Sequence, residues 1–292
     1  MNHSLFTLIQ YAREELKDTY GAEEIRSICQ IIFTDVFHYT NIDIHLKKSE
    51  DLDESFVKNF IKITGQLKAG QPIQYVLGET VFAGLRIGLN PSTLIPRPET
   101  EELVYWIKET APSSARILDI GTGSGCIALS LALSLPGASV CGLDISPEAV
   151  KQARQNAQLN HLQADFMQAD IFRFNTPEQY DIIVSNPPYV REQEKPLMQK
   201  FRLDEQSNQA LYYEPHRALF VPDDDPLIYY RTIVKWGKRH LTQGGKLFFE
   251  INEALGKEML QLMEASGYCR LVLKKDFYGK DRFIKGELHD GL

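Results

Sequence analysis

Two short runs in this 292-residue chain carry residue types able to do chemistry, Gly121-Thr122-Gly123-Ser124-Gly125 and Asn186-Pro187-Pro188-Tyr189. The second concentrates acceptors. Its successive prolines remove two backbone donors while keeping both carbonyls, and Asn186 adds a side-chain oxygen. Such a place can hold an NH2 group, either of an amide or of an exocyclic base amine. That nitrogen is a poor nucleophile because its lone pair is delocalised. Accepting both of its hydrogens, on the Asn186 side-chain oxygen and the Pro187 carbonyl, aims the lone pair at an electrophile and favours a less planar nitrogen. Tyr189 supplies a flat face for a planar amide or base. The plain alternative is a rigid proline turn with an aromatic packed behind it.

The glycine run points to where the electrophile would sit. Arg116 to Ile120 reads as an apolar strand, and the glycines after it open an Ala/Leu-rich helix reaching about Leu135. This arrangement lets the backbone approach a ligand at a helix N-terminus, outside the carboxyl ends of the strands. Asp144 ends the next strand, Ala138 to Leu143, where a carboxylate can accept from both ribose hydroxyls of a nucleoside. A dinucleotide fingerprint would place glycine or alanine where Cys126 stands. The tighter spacing here suits S-adenosylmethionine (SAM), so the loop leaves both cofactors open and favours SAM. Taken together, the two runs predict in-line displacement at the SAM methyl, driven by positioning and by support of the positive charge that builds on nitrogen. The nitrogen becomes acidic only as it is alkylated, so no strong base need act first and no catalytic His or Asp is nominated.

The elements that must position these runs alternate between strand and helix. Further strands are expected at Ala164–Gln168, Tyr180–Ser185, Lys246–Ile251, Arg270–Lys275 and Arg282–Lys285, with a helix at Pro147–Leu159. This predicts an α/β, Rossmann-like domain with a largely parallel sheet covered on both faces. Upstream, three helical periodicities stand out: Leu5/Leu8/Ile9/Ala12, Ile25/Ile28/Ile32/Val36 and Phe56/Phe60/Ile63/Leu67. Gly70-Gln-Pro72 closes that part, and Gly84 could turn a short hairpin within Val81–Leu89. The expected organisation is a helical domain over residues 1–75, a hairpin and linker over 76–98, and the α/β domain over 99–292.

Composition narrows the class of partner. Hydrophobic residues at 43% and charged ones at 24% suit a globular protein. With 32 Lys+Arg against 39 Asp+Glu, the net charge of −7 offers no general attraction to a phosphate backbone. Cys29, Cys126, Cys141 and Cys269 form no CxxC pair and have no histidine at ligand spacing, so reduced thiols and no metal are expected. Met1 to Glu14 lacks a basic region followed by an apolar core, which predicts a cytoplasmic protein with no secretory leader. The uncharged stretch between Asp119 and Asp144 is broken by Pro136-Gly137, and reads as a buried helix and strand, not a membrane span.

Several motifs combine into a family resemblance. Ile95-Pro-Arg-Pro-Glu-Thr-Glu101, Leu118-Asp-Ile-Gly-Thr-Gly-Ser-Gly125, Val184-Ser-Asn-Pro-Pro-Tyr189, Glu214-Pro215 with Ala218-Leu219, and Lys275-Asp276 with Gly279-Lys-Asp-Arg282 resemble the release-factor glutamine methyltransferases, the PrmC or HemK family. The likeness covers nearly the whole chain. It implies SAM-dependent methylation of the side-chain N5 of the glutamine in the Gly-Gly-Gln motif of class 1 peptide-chain release factors. It further implies that Gly121 to Gly125, Asp144 and Asn186 bind SAM, with Ile171 packing on the base and Phe172 as a substitute. Asn186, Pro187, Pro188 and Tyr189 would line the glutamine pocket, with Asn186, Pro187 and Tyr189 as the catalytic set, and the N-terminal helices would help hold the release factor.

The chain departs from the family pattern in two places. Val221-Pro-Asp-Asp-Asp-Pro-Leu227 replaces a glycine-containing stretch, and Glu250-Ile-Asn252 replaces Glu-Ile-Gly; neither is assigned a role. Arg97 is open to two readings, a contact to the SAM carboxylate or substrate and a surface salt bridge to Glu99 or Glu101, and stays outside the site. The competing reading is an amino-methyltransferase acting on adenine or guanine through the same Asn-Pro-Pro-Tyr clamp. It calls for a basic groove, whereas the chain shows only scattered cations such as Lys235, Lys238 and Arg239. Neither a membrane nor direct nucleic-acid binding is expected.

Overall fold

The computed structural model describes residues 3–195 and 213–288, which fall into two compact units meeting in sequence between Gly78 and Glu79. The first unit is helical: α1 (Leu5–Leu16), α2 (Ala22–Ile31), α3 (Asn41–Leu46), α4 (Glu54–Lys68) and α5 (Ile73–Leu77). Its helix starts are written locally. Ser4 and Thr7 cap each other at the head of α1, Thr40 and Asp43 do the same for α3, and Asp53 caps α4. The predicted stripes supply most of the core, with Leu5, Leu8, Ala12, Ile25, Ile28, Ile32, Phe56, Phe60, Ile63 and Leu67 buried and Ile9 and Val36 partly buried against them. The second stripe does not continue as one α-helix, because Ile32–Val36 is a π-helical turn. That extra residue per turn brings Phe33 into the core, where its ring stacks 5.4 Å from that of Phe60.

The second unit opens with the hairpin β1 (Glu79–Phe82) and β2 (Leu85–Gly88), turned by Ala83 and Gly84, both at positive φ. The helix α6 (Pro98–Thr110) follows, with proline at its first position, where no amide partner is needed. The sheet strands are β3 (Arg116–Ile120), β4 (Ser139–Asp144), β5 (Asp165–Gln168), β6 (Tyr180–Ser185), β9 (Leu241–Glu250), β10 (Tyr268–Lys275) and β11 (Asp281–Leu288). Between β6 and β9 lies a two-residue bridge of β7 (Val190–Arg191) with β8 (Phe220–Val221), too short to show in sequence. Helices α7 (Cys126–Ser134), α8 (Pro147–Leu159), α9 (His216–Leu219), α10 (Ile228–His240) and α11 (Gly256–Ala265) complete the unit.

The strand order is β10-β11-β9-β6-β3-β4-β5, parallel from β9 through β5, with β11 antiparallel to both β9 and β10. From β3 the chain moves outward through β4 and β5, then returns to place β6 on the other side of β3. The order therefore reverses between β3 and β6, which is where an open α/β sheet leaves a crevice at its carboxyl edge. Ile120 and Ser185 are register partners at the ends of these two strands, and the Ser185 hydroxyl donates to the Ile120 carbonyl at 2.6 Å. The glycine loop and the Asn-Pro-Pro-Tyr loop thus leave adjacent strands side by side.

Candidate active site

The glycine loop is shaped by its neighbours on β4. The amides of Gly121 and Thr122 both donate to the Leu143 carbonyl, and the Thr122 hydroxyl donates to Asp119 Oδ2 at 2.6 Å. Gly123 donates its amide to Asp144 Oδ2 at 2.9 Å, while Asp144 Oδ1 accepts from the Ser146 amide at 2.9 Å. Both oxygens are thereby fixed, and each keeps acceptor capacity for a ligand. Asn156 of α8 donates to the Ser124 carbonyl at 2.8 Å and also binds the Gly88 carbonyl and amide, joining the loop to the hairpin.

A cavity of about 530 Å³ opens at this edge, walled by Gly121, Gly123, Leu143, Asp144, Ile145, Ala169, Asp170, Ile171, Phe172, Asn186, Pro187 and Pro188. Thr122, Ser124 and Gly125, expected to bind cofactor, lie outside that wall: Thr122 and Ser124 are buried, and the three hold the loop's shape. Sequence reading missed Pro91, Ser92, Leu94, Arg217, Tyr229 and Ile233 in the wall. Phe172 is half exposed, with its ring 5.4 Å from that of Tyr229. The wall fits a nucleoside. It pairs a fixed carboxylate with an apolar face of Leu143, Ile145 and Ile171, and a Cβ at Gly123 would meet no atom within 4 Å, so the loop leaves space that a ligand can fill.

A second recess of about 40 Å³ adjoins it, walled by Leu94, Arg97, Asn186, Pro187, Tyr189, Val190, Ala218 and Leu219. Asn186 and Pro187 belong to both walls. Arg97 of that wall is held by Glu214, whose carboxylate accepts from the Ile95 amide at 2.9 Å and from the Arg97 guanidinium at 2.6 Å. The expected partners of Arg97 are therefore corrected: Glu101 instead accepts from the Ala83 amide, and Arg97 lines the recess with a buried carboxylate behind it.

Beneath the Asn-Pro-Pro-Tyr loop lies a buried acid that sequence reading left without a role. Glu250, at the end of β9, accepts from the Thr100 hydroxyl at 2.7 Å and from the Tyr189 hydroxyl at 3.2 Å. The Asn186 side-chain amide reaches the Thr100 oxygen at 3.5 Å, and Asn252 donates to the Tyr189 carbonyl at 3.2 Å. Burial pushes the Glu250 carboxyl above the usual carboxylate range, against the pull of Thr100, Arg282 and Tyr189. Burial likewise raises Asp144, opposed by the amides of Ser146 and Gly123, and pushes Asp119 up to about 7.

Comparison with known proteins fits this geometry. Residues 7–78 match the PrmC N-terminal domain, and residues 99–214 match the methyltransferase small domain. A release factor glutamine methyltransferase of Flavobacterium psychrophilum is 44% identical over 93% of this chain and 95% of its own length. Its counterpart in Bacteroides thetaiotaomicron is 42% identical over 94% and 96%. The chain belongs to the release factor glutamine methyltransferase family.

Among solved structures, a methyltransferase from Pyrococcus furiosus superposes with a TM-score of 0.51 at 16% identity, covering 82% of this chain and all of that one. That likeness carries the fold, and the family membership rests on the sequence relatives. Within the family frame, the motif residues converge. Pro98-Glu-Thr100 starts α6 beside Asn186, Glu214 clamps the segment before it, and Arg282 pairs with Asp276 at 3.1 Å behind Glu250. Among the described residues no helix is long and apolar enough to cross a membrane, and no His/Cys/Asp/Glu group has metal-ligand geometry.

Proposed function

We propose that this chain methylates, at the side-chain N5, the glutamine of the Gly-Gly-Gln motif in class 1 peptide-chain release factors. The observation that carries this reading is the wall shared by the two cavities. Asn186 and Pro187 face both a nucleoside-sized space and a recess scaled to one small planar group.

Gly121, Gly123, Asp144 and Ile171, with Asn186, would hold SAM in the larger cavity, where the bound cofactor would supply a methyl group from its cationic sulfur, the S–CH3 bond breaking to leave S-adenosyl-L-homocysteine. The glutamine amide enters the recess between Pro187 and Tyr189, while Pro188, expected to line the glutamine pocket, belongs to the wall of the larger cavity. Asn186 Oδ1 and the Pro187 carbonyl accept its two N–H groups, which aligns the nitrogen lone pair and supports the charge that builds as the N–CH3 bond forms. One proton leaves the alkylated nitrogen for solvent. The helical unit would engage the release factor, and the cytoplasm is where such a substrate is met. The net charge of −7 and the release factor glutamine methyltransferase relatives do not favour the base-directed alternative.

The deciding assay incubates the chain with SAM and a purified release factor, then weighs the Gly-Gly-Gln peptide. One added methyl group on glutamine is expected. An unmodified peptide, or methyl incorporated into DNA or RNA instead, overturns the reading. Asn186→Ala should lower kcat by about 100-fold, or about 2.7 kcal/mol, because the lost acceptor serves chiefly the transition state.

A further inference from the structure

Asn186 can serve the proposed reaction only if its side-chain oxygen, not its NH2, faces the substrate amide. An asparagine side chain is nearly symmetric in shape, so a hydrogen-bond network must choose between its two orientations. We propose that Thr100 and Glu250 are positioning residues that make this choice, holding the NH2 end of Asn186 away from the substrate and presenting its oxygen.

The argument follows the protons. Glu250 is 1% exposed and receives two hydroxyl donors, Thr100 on one oxygen and Tyr189 on the other. Each Glu250 oxygen accepts one of these hydroxyls, so Thr100 commits its single proton to Glu250 and keeps only lone pairs for other neighbours. Asn186 Nδ2 is the group that reaches those lone pairs, at 3.5 Å. If Asn186 turned over, its oxygen would face the Thr100 oxygen with no proton between them. Because Thr100 is 2% exposed, no bulk water relieves that clash. Glu250 also ties down Tyr189, so one carboxylate registers both ends of the Asn-Pro-Pro-Tyr loop. The contact is written into the first turn of α6, which brings Thr100 of the Pro-Glu-Thr motif under the loop.

This inference rests on the proposed glutamine methylation, so wild-type activity on a release factor is the first measurement. If wild type fails to methylate, both readings fall. With wild type active, Thr100→Val keeps shape but removes the relay, Thr100→Ala removes it without the second methyl group, and Thr100→Ser restores it. The two hydroxyl-less variants should lose at least about tenfold in kcat, with SAM Kd and release-factor KM within about threefold of wild type, since the defect lies in orienting the reacting group. Thr100→Ser should stay within about threefold in kcat. The positioning role is overturned if either hydroxyl-less variant keeps wild-type kcat, if serine does not rescue, if SAM affinity falls together with kcat, or if neither variant folds.

Discussion

Arg97 and Glu214, 117 positions apart in sequence, meet at 2.6 Å, and the same carboxylate accepts the Ile95 amide through its other oxygen. The Glu214 side chain is fully buried, whereas that of Arg97 keeps 38% of its surface in solvent. The pair is therefore asymmetric: removing the cation strands a buried anion, whereas neutralising the anion frees an arginine that can turn to water. Arg97→Ala should cost about 2–3 kcal/mol in urea unfolding, and Glu214→Gln, which keeps an acceptor for Ile95, about 1 kcal/mol or less. Equal losses would contradict the asymmetry.

Two glycines of one loop should fail differently. Gly123 has φ +55° and open space where a Cβ would stand, beside the cavity; Gly125 has φ +81° and would place a Cβ 3.0 Å from that of Ala153 and 3.1 Å from the Phe166 ring. Gly123→Ala should cost about 1–2 kcal/mol of stability for the left-handed backbone, and should lower SAM affinity at least about tenfold by occupying ligand space. Gly125→Ala adds overpacking and should cost about 2–4 kcal/mol. Thermal unfolding and calorimetric SAM titration separate the two, and unchanged SAM affinity in Gly123→Ala would remove that glycine from the site.

What could be read in the chain beforehand was local. The strand ending at Ile120, the helix over Pro147–Leu159 and the glycine turns depend on neighbours within a few positions, and Asn186-Pro187 declares its acceptors by residue type alone. Glu250 gave no such sign, because its meaning lies in Thr100, 150 positions away, and in Tyr189, 61 away. Asn156 likewise looks like one more polar helix residue until Ser124 and Gly88 close around it. The Thr122 hydroxyl, too, gave no sign in its motif that it donates to Asp119. Sequence spacing locates a loop but not which side chains of it turn inward.

Asp119 should make stability depend on pH. Burial pushes its carboxyl up to about 7 from an ordinary value of 3.8. Between those values the folded chain holds a proton that the unfolded chain has released, so the group's contribution falls as pH rises from about 4 to about 7 and then levels off. Asp119→Asn keeps an acceptor for the Thr122 hydroxyl and cannot titrate. The stability of that variant relative to wild type should therefore increase by on the order of 2–4 kcal/mol between pH 4.5 and pH 8. Urea unfolding at several pH values measures the difference, and parallel curves for the two proteins would exclude the assignment.

Asp144 offers the most exacting test of the cofactor cavity, because its two oxygens already accept one backbone amide each, from Gly123 and from Ser146. Asparagine, usually a mild replacement, has one oxygen and one NH2 group. Whichever way it turns, its NH2 faces a backbone N–H, and two donors oppose each other in a mostly buried place. The loop must then shift at Gly123 or at Ser146, on the wall where the ribose diol would bind. Asp144→Asn should thus be as damaging as Asp144→Ala, each lowering SAM affinity by on the order of 10- to 100-fold, whereas a carboxylate acting through charge alone on an unfixed loop would leave asparagine the milder change. Calorimetric titration of both variants decides, and an asparagine variant that binds SAM within about threefold of wild type would show that the two amide contacts do not set the cavity.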